Sequence, residues 1–145
     1  MSDFKVFISY SSGDITFMEY LKVSIDKHKP LKALVVPQEK SPLSYNAEKV
    51  KQSLDDAKIF IPILTANSIN NQWVNQEIGY AFKKFNIQNF YPLVQNSIKS
   101  KLKGFISDNN DLNYRFEENE FKIKFDELVN DLYEKYKNKG KYDIR

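Results

Sequence analysis

The chain has 145 residues, 41% of them hydrophobic and 28% charged, a balance that suits one folded domain over residues 1–145 and excludes a disordered chain. With no cysteine, and His28 as its single imidazole, it can build no disulfide, no thiolate site and no histidine-based zinc site, so no metal is expected. A net charge of +3 is too mild to argue for nucleic acid, and neither a membrane span nor a secretory leader is legible, so a cytoplasmic chain without nucleic-acid or membrane partners is expected.

Phe4 to Tyr10 is almost continuously apolar, the pattern of a strand covered on both faces, and it runs into Ser11, Ser12, Gly13 and Asp14. Asp14 stands where an N-cap belongs, ahead of a helix whose inner face is Phe17, Met18, Leu21 and Ile25. Lys27, His28 and Lys29 read as its solvated end, and Pro30 closes it. Ala33 to Val36 is a second short strand. Pro37 to Tyr45 holds two prolines and the charged pair Glu39 and Lys40, a loop long enough to reach a neighbouring molecule. Asn46 then caps a helix with Val50, Leu54 and Ala57 as its buried positions.

Ile59 to Leu64 is short, apolar and β-branched, and it enters a polar loop at Thr65, Asn67 and Ser68, as a buried strand would. A helix follows, with Asn70 or Asn71 as its N-cap and Val74, Ile78, Ala81, Phe82 and Phe85 as its apolar stripe. Trp73 and Glu77 lie one turn apart on the flank of that stripe. A carboxylate beside an indole at the mouth of a strand-to-helix loop adds little stability and suits the gripping of a polar ligand. Phe90 to Val94 reads as a fourth strand, and Pro62 and Pro92, each lacking a ladder donor, predict strand ends or bulges where they stand. Ser97 to Asp108 reads as a short helix and Leu112 to Phe116 as a fifth strand. Phe121, Phe125, Leu128, Leu132 and Tyr136 share one face of a last helix, before a solvated lysine-rich tail.

Strands alternating with helices predict an α/β fold: a flavodoxin-like three-layer sandwich with a five-stranded parallel sheet, order 2-1-3-4-5, and helices on both faces. In that topology ligands bind where the carboxyl ends of strands 1 and 3 diverge, which places Tyr10 to Asp14 opposite Thr65 to Glu77. Several chemistries fail there. Four glycines, at 13, 79, 104 and 140, make neither a dinucleotide fingerprint nor a P-loop. A phospho-receiver needs acidic groups where Ser9, Tyr10, Leu64 and Thr65 stand, and a serine hydrolase needs a base that His28, at the far end of the first helix, cannot supply.

Two stretches carry a resemblance to a known family. K-V-F-I-S-Y-S-S-G-D, Lys5 to Asp14, resembles the first box of the TIR (Toll/interleukin-1 receptor) domains, and W-V-N-Q-E, Trp73 to Glu77, resembles the W-x-x-x-E of their NAD-cleaving bacterial and archaeal members. By that resemblance Glu77 is the catalytic glutamate, Trp73 its supporting aromatic, and Tyr10, Ser11 and Ser12 part of the nucleotide pocket. Asp14, in the same box, is a further substrate-binding candidate beside its reading as a cap. Tyr10 also reads as packing, and Glu77 as a solvated helix carboxylate.

NAD+ is then the substrate and no cofactor is implied. Its nicotinamide is a pyridinium that departs as a neutral amide, so the protein has only to stabilise an oxocarbenium-like ribose, a task for one carboxylate, while Trp73 and Tyr10 stack on the cation. Family members form ADP-ribose or a cyclic ADP-ribose isomer, and short prokaryotic ones resemble the signal-making subunit of Thoeris antiphage defence, whose product activates a separate effector. Self-association, with the loop after strand 2 completing a neighbour's pocket, is also implied. The chain departs from the family in two places. The R-D-x-x-P-G of adaptor-recruiting members is replaced by Pro37 to Leu43, and Ser11 and Ser12 stand where enzymatic members often carry basic residues, which leaves phosphate contacts to backbone groups or Lys40. A non-enzymatic interaction module on the same fold is the alternative reading.

Overall fold

Five parallel strands form one sheet in the order β2-β1-β3-β4-β5, as the alternation of elements predicts. The computed structural model describes residues 3–35, 52–69, 89–101 and 114–137. Within them the strands are β1 Phe4–Ser9, β2 Leu31–Leu34, β3 Ile59–Leu64, β4 Leu93–Gln95 and β5 Tyr114–Phe116. Successive side chains of a strand point to opposite faces, and the two faces become two cores. Val6, Ile8, Ile59, Ile61 and Ile63 enter one, whereas Phe7, Phe60 and Leu64 enter the other.

The first face is covered by two helices, α1 Ile15–Asp26 and α2 Phe121–Tyr136. Met18, Leu21 and Ile25 of α1 and Phe125, Leu128, Val129 and Leu132 of α2 are buried against it, the stripes that the helical spacing predicts. Phe17 is half-buried, its ring edge-on to Phe116, Phe121 and Phe125 at 5.3, 4.9 and 5.9 Å between centroids. On the second face Leu54 of the helical residues 52–56, then Ala57, and Ile98 of the 3-10 turn Asn96–Lys101 close over Phe7, Phe60, Phe90 and Val94. The loop 37–45, the cap Asn46, Val50 and the helix carrying Trp73 and Glu77 lie outside the described residues.

Four features differ from expectation, two of them strand boundaries, each for a physical reason. Strand β2 begins at Leu31, two residues before the predicted Ala33, because Leu31 pairs with Phe4 and Ala33 with Val6, and the backbone N–H of Ala33 is anchored on Asp26 Oδ1 at 2.9 Å. Pro62 is neither at a strand end nor at a bulge: it lies inside β3, opposite Ser9. Its missing donor shows on the other edge, where the ladder to β4 breaks between the Phe60–Phe90 bridge and the Ile63–Leu93 pair. Strand β4 accordingly starts at Leu93, just after Pro92, as that proline predicts. Finally, His28 is half-buried, with Nδ1 2.7 Å from the Ser24 carbonyl and its ring edge-on to Tyr133 of α2 at 5.5 Å. A carbonyl only accepts, so Nδ1 carries the proton of that contact.

Candidate functional site

The carboxyl ends of β1 and β3 are joined by one side chain. Asp14 occupies the N-cap position of α1, yet its carboxylate makes no capping hydrogen bond and is turned inward, 1% exposed. Oδ2 accepts from Ser11 Oγ at 2.9 Å and from Thr65 Oγ1 at 2.6 Å, and Oδ1 accepts from Asn67 Nδ2 at 2.9 Å. A carboxylate has about four lone-pair positions, so three donors nearly saturate it. This corrects the reading of Asp14 as a helix cap. Its strongest partners are 51 and 53 residues away in the chain.

The β3 side of this contact is itself ordered by local bonds. Thr65 N–H donates to Ser68 Oγ at 2.7 Å, Asn67 N–H to Thr65 Oγ1 at 3.0 Å, and the Thr65 carbonyl accepts the N–H groups of Ser68 and Ile69, both at 3.1 Å. Thr65 Oγ1 thus receives one bond and gives another to Asp14, which leaves its hydroxyl no freedom. Thr65 and Ser68 are both buried, at 1% and 0% exposure. On the β1 side, Gly13 leaves room for Asn67: a Cβ there would stand 2.9 Å from Asn67 Cγ, so the Asn67 side chain would have to shift.

Of the sequence-predicted residues, the structure brings Ser11 and Asp14 together. Tyr10 is buried among the apolar residues of the first core and Ser11 is 2% exposed, so Ser12 is the exposed member of the three pocket candidates. Trp73 and Glu77 lie outside the described residues. The sequence places Thr65, Asn67 and Ser68 in the polar loop opposite Tyr10 to Asp14, by their polar run directly after a fully apolar strand, but gives no sign that they bond to Asp14.

Beside the Asp14 cluster opens a cleft of about 310 Å³, bounded by Asp14, Thr65, Asn67, Gln95, Glu118 and the rings of Phe17 and Phe121. Gln95 Oε1 accepts from the Ala66 N–H at 3.1 Å, and Asn96 Nδ2 donates to Glu117 Oε1 at 2.6 Å, so the ends of β3, β4 and β5 are tied in series. The walls of the cleft are polar at the strand ends, and the rings of Phe17 and Phe121 from the two helices stand beside Thr16 and Glu118. Among the described residues no group of three His, Asp or Glu side chains is placed to hold a metal ion, and no helix is long and apolar enough to cross a membrane.

A doubly wound parallel sheet with polar loops meeting at the carboxyl ends of its first and third strands defines a class with many functions. A family model described as the TIR domain matches residues 6–129, and the chain belongs to that family. No curated protein sequence matches it. Among solved structures it is similar to the TIR domains of the activated Roq1 resistosome, which directly recognises the pathogen effector XopQ, at 13% identity and a TM-score of 0.53, covering 88% of this chain and 84% of that one. A conserved protein from Enterococcus faecalis superposes with a TM-score of 0.51 at 15% identity, covering 95% of this chain and 99% of that one. The flavodiiron core of Flv1 from Synechocystis also gives 0.51, at 12% identity, over 88% of this chain and 36% of its own. Identities this low establish a shared fold, which the flavodiiron match extends beyond TIR proteins.

Proposed function

We propose that this TIR domain cleaves the N-glycosyl bond of NAD+, releasing nicotinamide and forming ADP-ribose or a cyclic ADP-ribose isomer, as a signal in antiphage defence of the Thoeris type. The observation that carries the reading is the joining of the β1 and β3 loops at the sheet's switch point, with W-V-N-Q-E, Trp73 to Glu77, following the second of them in sequence. In the proposed step the bond from ribose C1′ to the pyridinium nitrogen breaks, and its electron pair leaves with neutral nicotinamide. The Glu77 carboxylate stabilises the positive ribose, and water, or a nucleophilic atom of the same nucleotide, adds at C1′. Self-association through TIR–TIR contacts completes the pocket, and a separate effector receives the product.

The experiment is incubation of the purified protein with NAD+ at high protein concentration, following nicotinamide by chromatography and the nucleotide product by mass spectrometry. Glu77→Ala lowers turnover at least ~100-fold, the usual loss when a group that stabilises transition-state charge is removed. Equal turnover by the variant removes Glu77 from the mechanism.

One observation favours the second reading, an interaction module without activity: Tyr10, Ser11 and Asp14 are buried, so three of the four substrate-binding candidates after β1 present little surface to a nucleotide. That reading expects no nicotinamide at any protein concentration and a partner contact indifferent to Glu77→Ala.

A further inference from the structure

Resting on the proposed NAD+ cleavage, we infer that Asp14 is a positioning residue and not a substrate contact: its carboxylate locks the loop after β1 to the loop after β3 and thereby sets the distance between the two halves of the site. The geometry is specific. Asp14 is 1% exposed and spends both oxygens on protein donors, Ser11 from its own loop and Thr65 and Asn67 from the other. Ser11 lies between Tyr10 and Ser12, and the Thr65–Ile69 turn leads in sequence to Trp73 and Glu77. The loop that carries Ser12 and the turn that precedes Trp73 and Glu77 in sequence are therefore both tied to one carboxylate, and a displacement of about 1 Å at a reacting centre is enough to cost ~100-fold in rate.

Charge and geometry can be separated at this residue. In Asp14→Asn the amide oxygen at the Oδ2 position still accepts from Ser11 and Thr65. The new NH₂ group finds an acceptor once the Asn67 amide turns over, at the expense only of the long 3.4 Å bond from Asn67 Nδ2 to the Gly13 carbonyl. Asp14→Ala removes all three acceptor contacts and leaves two buried hydroxyls without that partner. Gly13→Ala keeps the carboxylate and its charge but drives a methyl group into Asn67.

The test uses the full chain and two readouts, nicotinamide release with kcat and KM separated, and amide hydrogen exchange at Ser68 and Ile69. A positioning role expects Asp14→Ala to lose about 10- to 100-fold in kcat with KM little changed, Asp14→Asn to stay within about threefold of the parent, and Gly13→Ala to fall between them. Exchange at Ser68 and Ile69 quickens at least ~10-fold in Asp14→Ala and not in Asp14→Asn. Should Asp14→Ala fail to fold, Gly13→Ala and Thr65→Val carry the same comparison. If Asp14→Asn is as inactive as Asp14→Ala while exchange is unchanged, the carboxylate acts through its charge and the inference is overturned. Full kcat in Asp14→Ala overturns it equally. If the parent protein releases no nicotinamide, the proposed function fails by itself, and the exchange comparison still decides whether Asp14 holds the two loops together.

Discussion

Asp26 shows how one carboxylate decides where a strand begins. Oδ1 accepts the Ala33 N–H at 2.9 Å on the edge strand β2, and Oδ2 meets Lys22 Nζ at 3.1 Å across one turn of α1. The ion pair is roughly 40% exposed on each side, so screening leaves it worth little, about 0 to 0.5 kcal/mol, whereas the bond to the backbone donor of buried Ala33 is worth about 1 kcal/mol. Asp26→Ala should therefore lower the unfolding free energy by about 1 to 1.5 kcal/mol and Lys22→Ala by less than about 0.5, measured as urea midpoints at constant m. Loss of equal size in both variants would assign the effect to the ion pair. None of this was legible in the sequence, where nothing singles out Asp26 and the apolar run from Ala33 suggests a later strand. Asp14 eluded sequence reading for the same reason in a sharper form: a local rule places it as a cap, and the partners that override the rule lie more than 50 residues away. Ser12 and Ser11 are equivalent in sequence, and only the fold sends one outward and the other inward.

At the scale of elements, legibility followed the strength of the apolar pattern. Strand β3 was read with its observed ends because six apolar residues stand between Lys58 and Thr65, and both its faces are buried. The helical spacing places the inner face of α2, and four of its five predicted positions, Phe125, Leu128, Leu132 and Tyr136, are buried, with Val129 the addition that a stripe wider than one residue allows. The apolar pattern starts the fourth strand at Phe90, three residues before the observed Leu93, because the ladder cannot close across two prolines. The helical reading makes a contrast within one turn of α2: Phe125 is fully buried and Ile123 is 63% exposed. Phe125→Ala should cost about 3 to 5 kcal/mol, the transfer and cavity cost of an aromatic core side chain that touches Phe17, Phe116 and Phe121. Ile123→Ala should change stability by no more than about 0.5 kcal/mol. Chemical denaturation of the two variants side by side checks this, and comparable losses would mean that α2 is rotated from the face described.

Over the whole molecule, the first helical layer is held together and to the sheet by phenols as well as by its apolar stripe. Tyr20 of α1 donates to both carboxylate oxygens of Asp126 on α2, at 2.8 and 3.0 Å, and Tyr114 of β5 donates to Asp131 of α2 at 2.7 Å. The bond to Asp126, then burial and the charge of that carboxylate, hold the Tyr20 proton above its ordinary pKa of 10.0, and burial, then the bond to Asp131, raises Tyr114 further. Tyr136, which donates to Asn89 Oδ1 at 3.2 Å, is raised mainly by burial. In each case the folded protein keeps a proton that the unfolded chain gives up near pH 10, so the unfolded state binds fewer protons above that pH and stability falls as pH rises. The stabilisation is complete below about pH 10 and is lost as pH climbs toward the raised folded values. Urea midpoints should accordingly stay level to about pH 9 and decline beyond pH 10. In Tyr114→Phe, which has no proton to lose, the decline should be shallower even though the variant starts from a lower midpoint through loss of the bond to Asp131. An alkaline slope identical to the parent's would remove Tyr114 from the account. Because the first residue of α2, Phe121, walls the cleft at the end of the sheet, the same loosening should reach the site, and the cleft should open before the β-sheet melts. The ring resonances of Phe121 at the cleft and of Phe60 in β3, followed together by NMR through the alkaline transition, test that order, and coincident transitions would show that helix layer and sheet come apart as one.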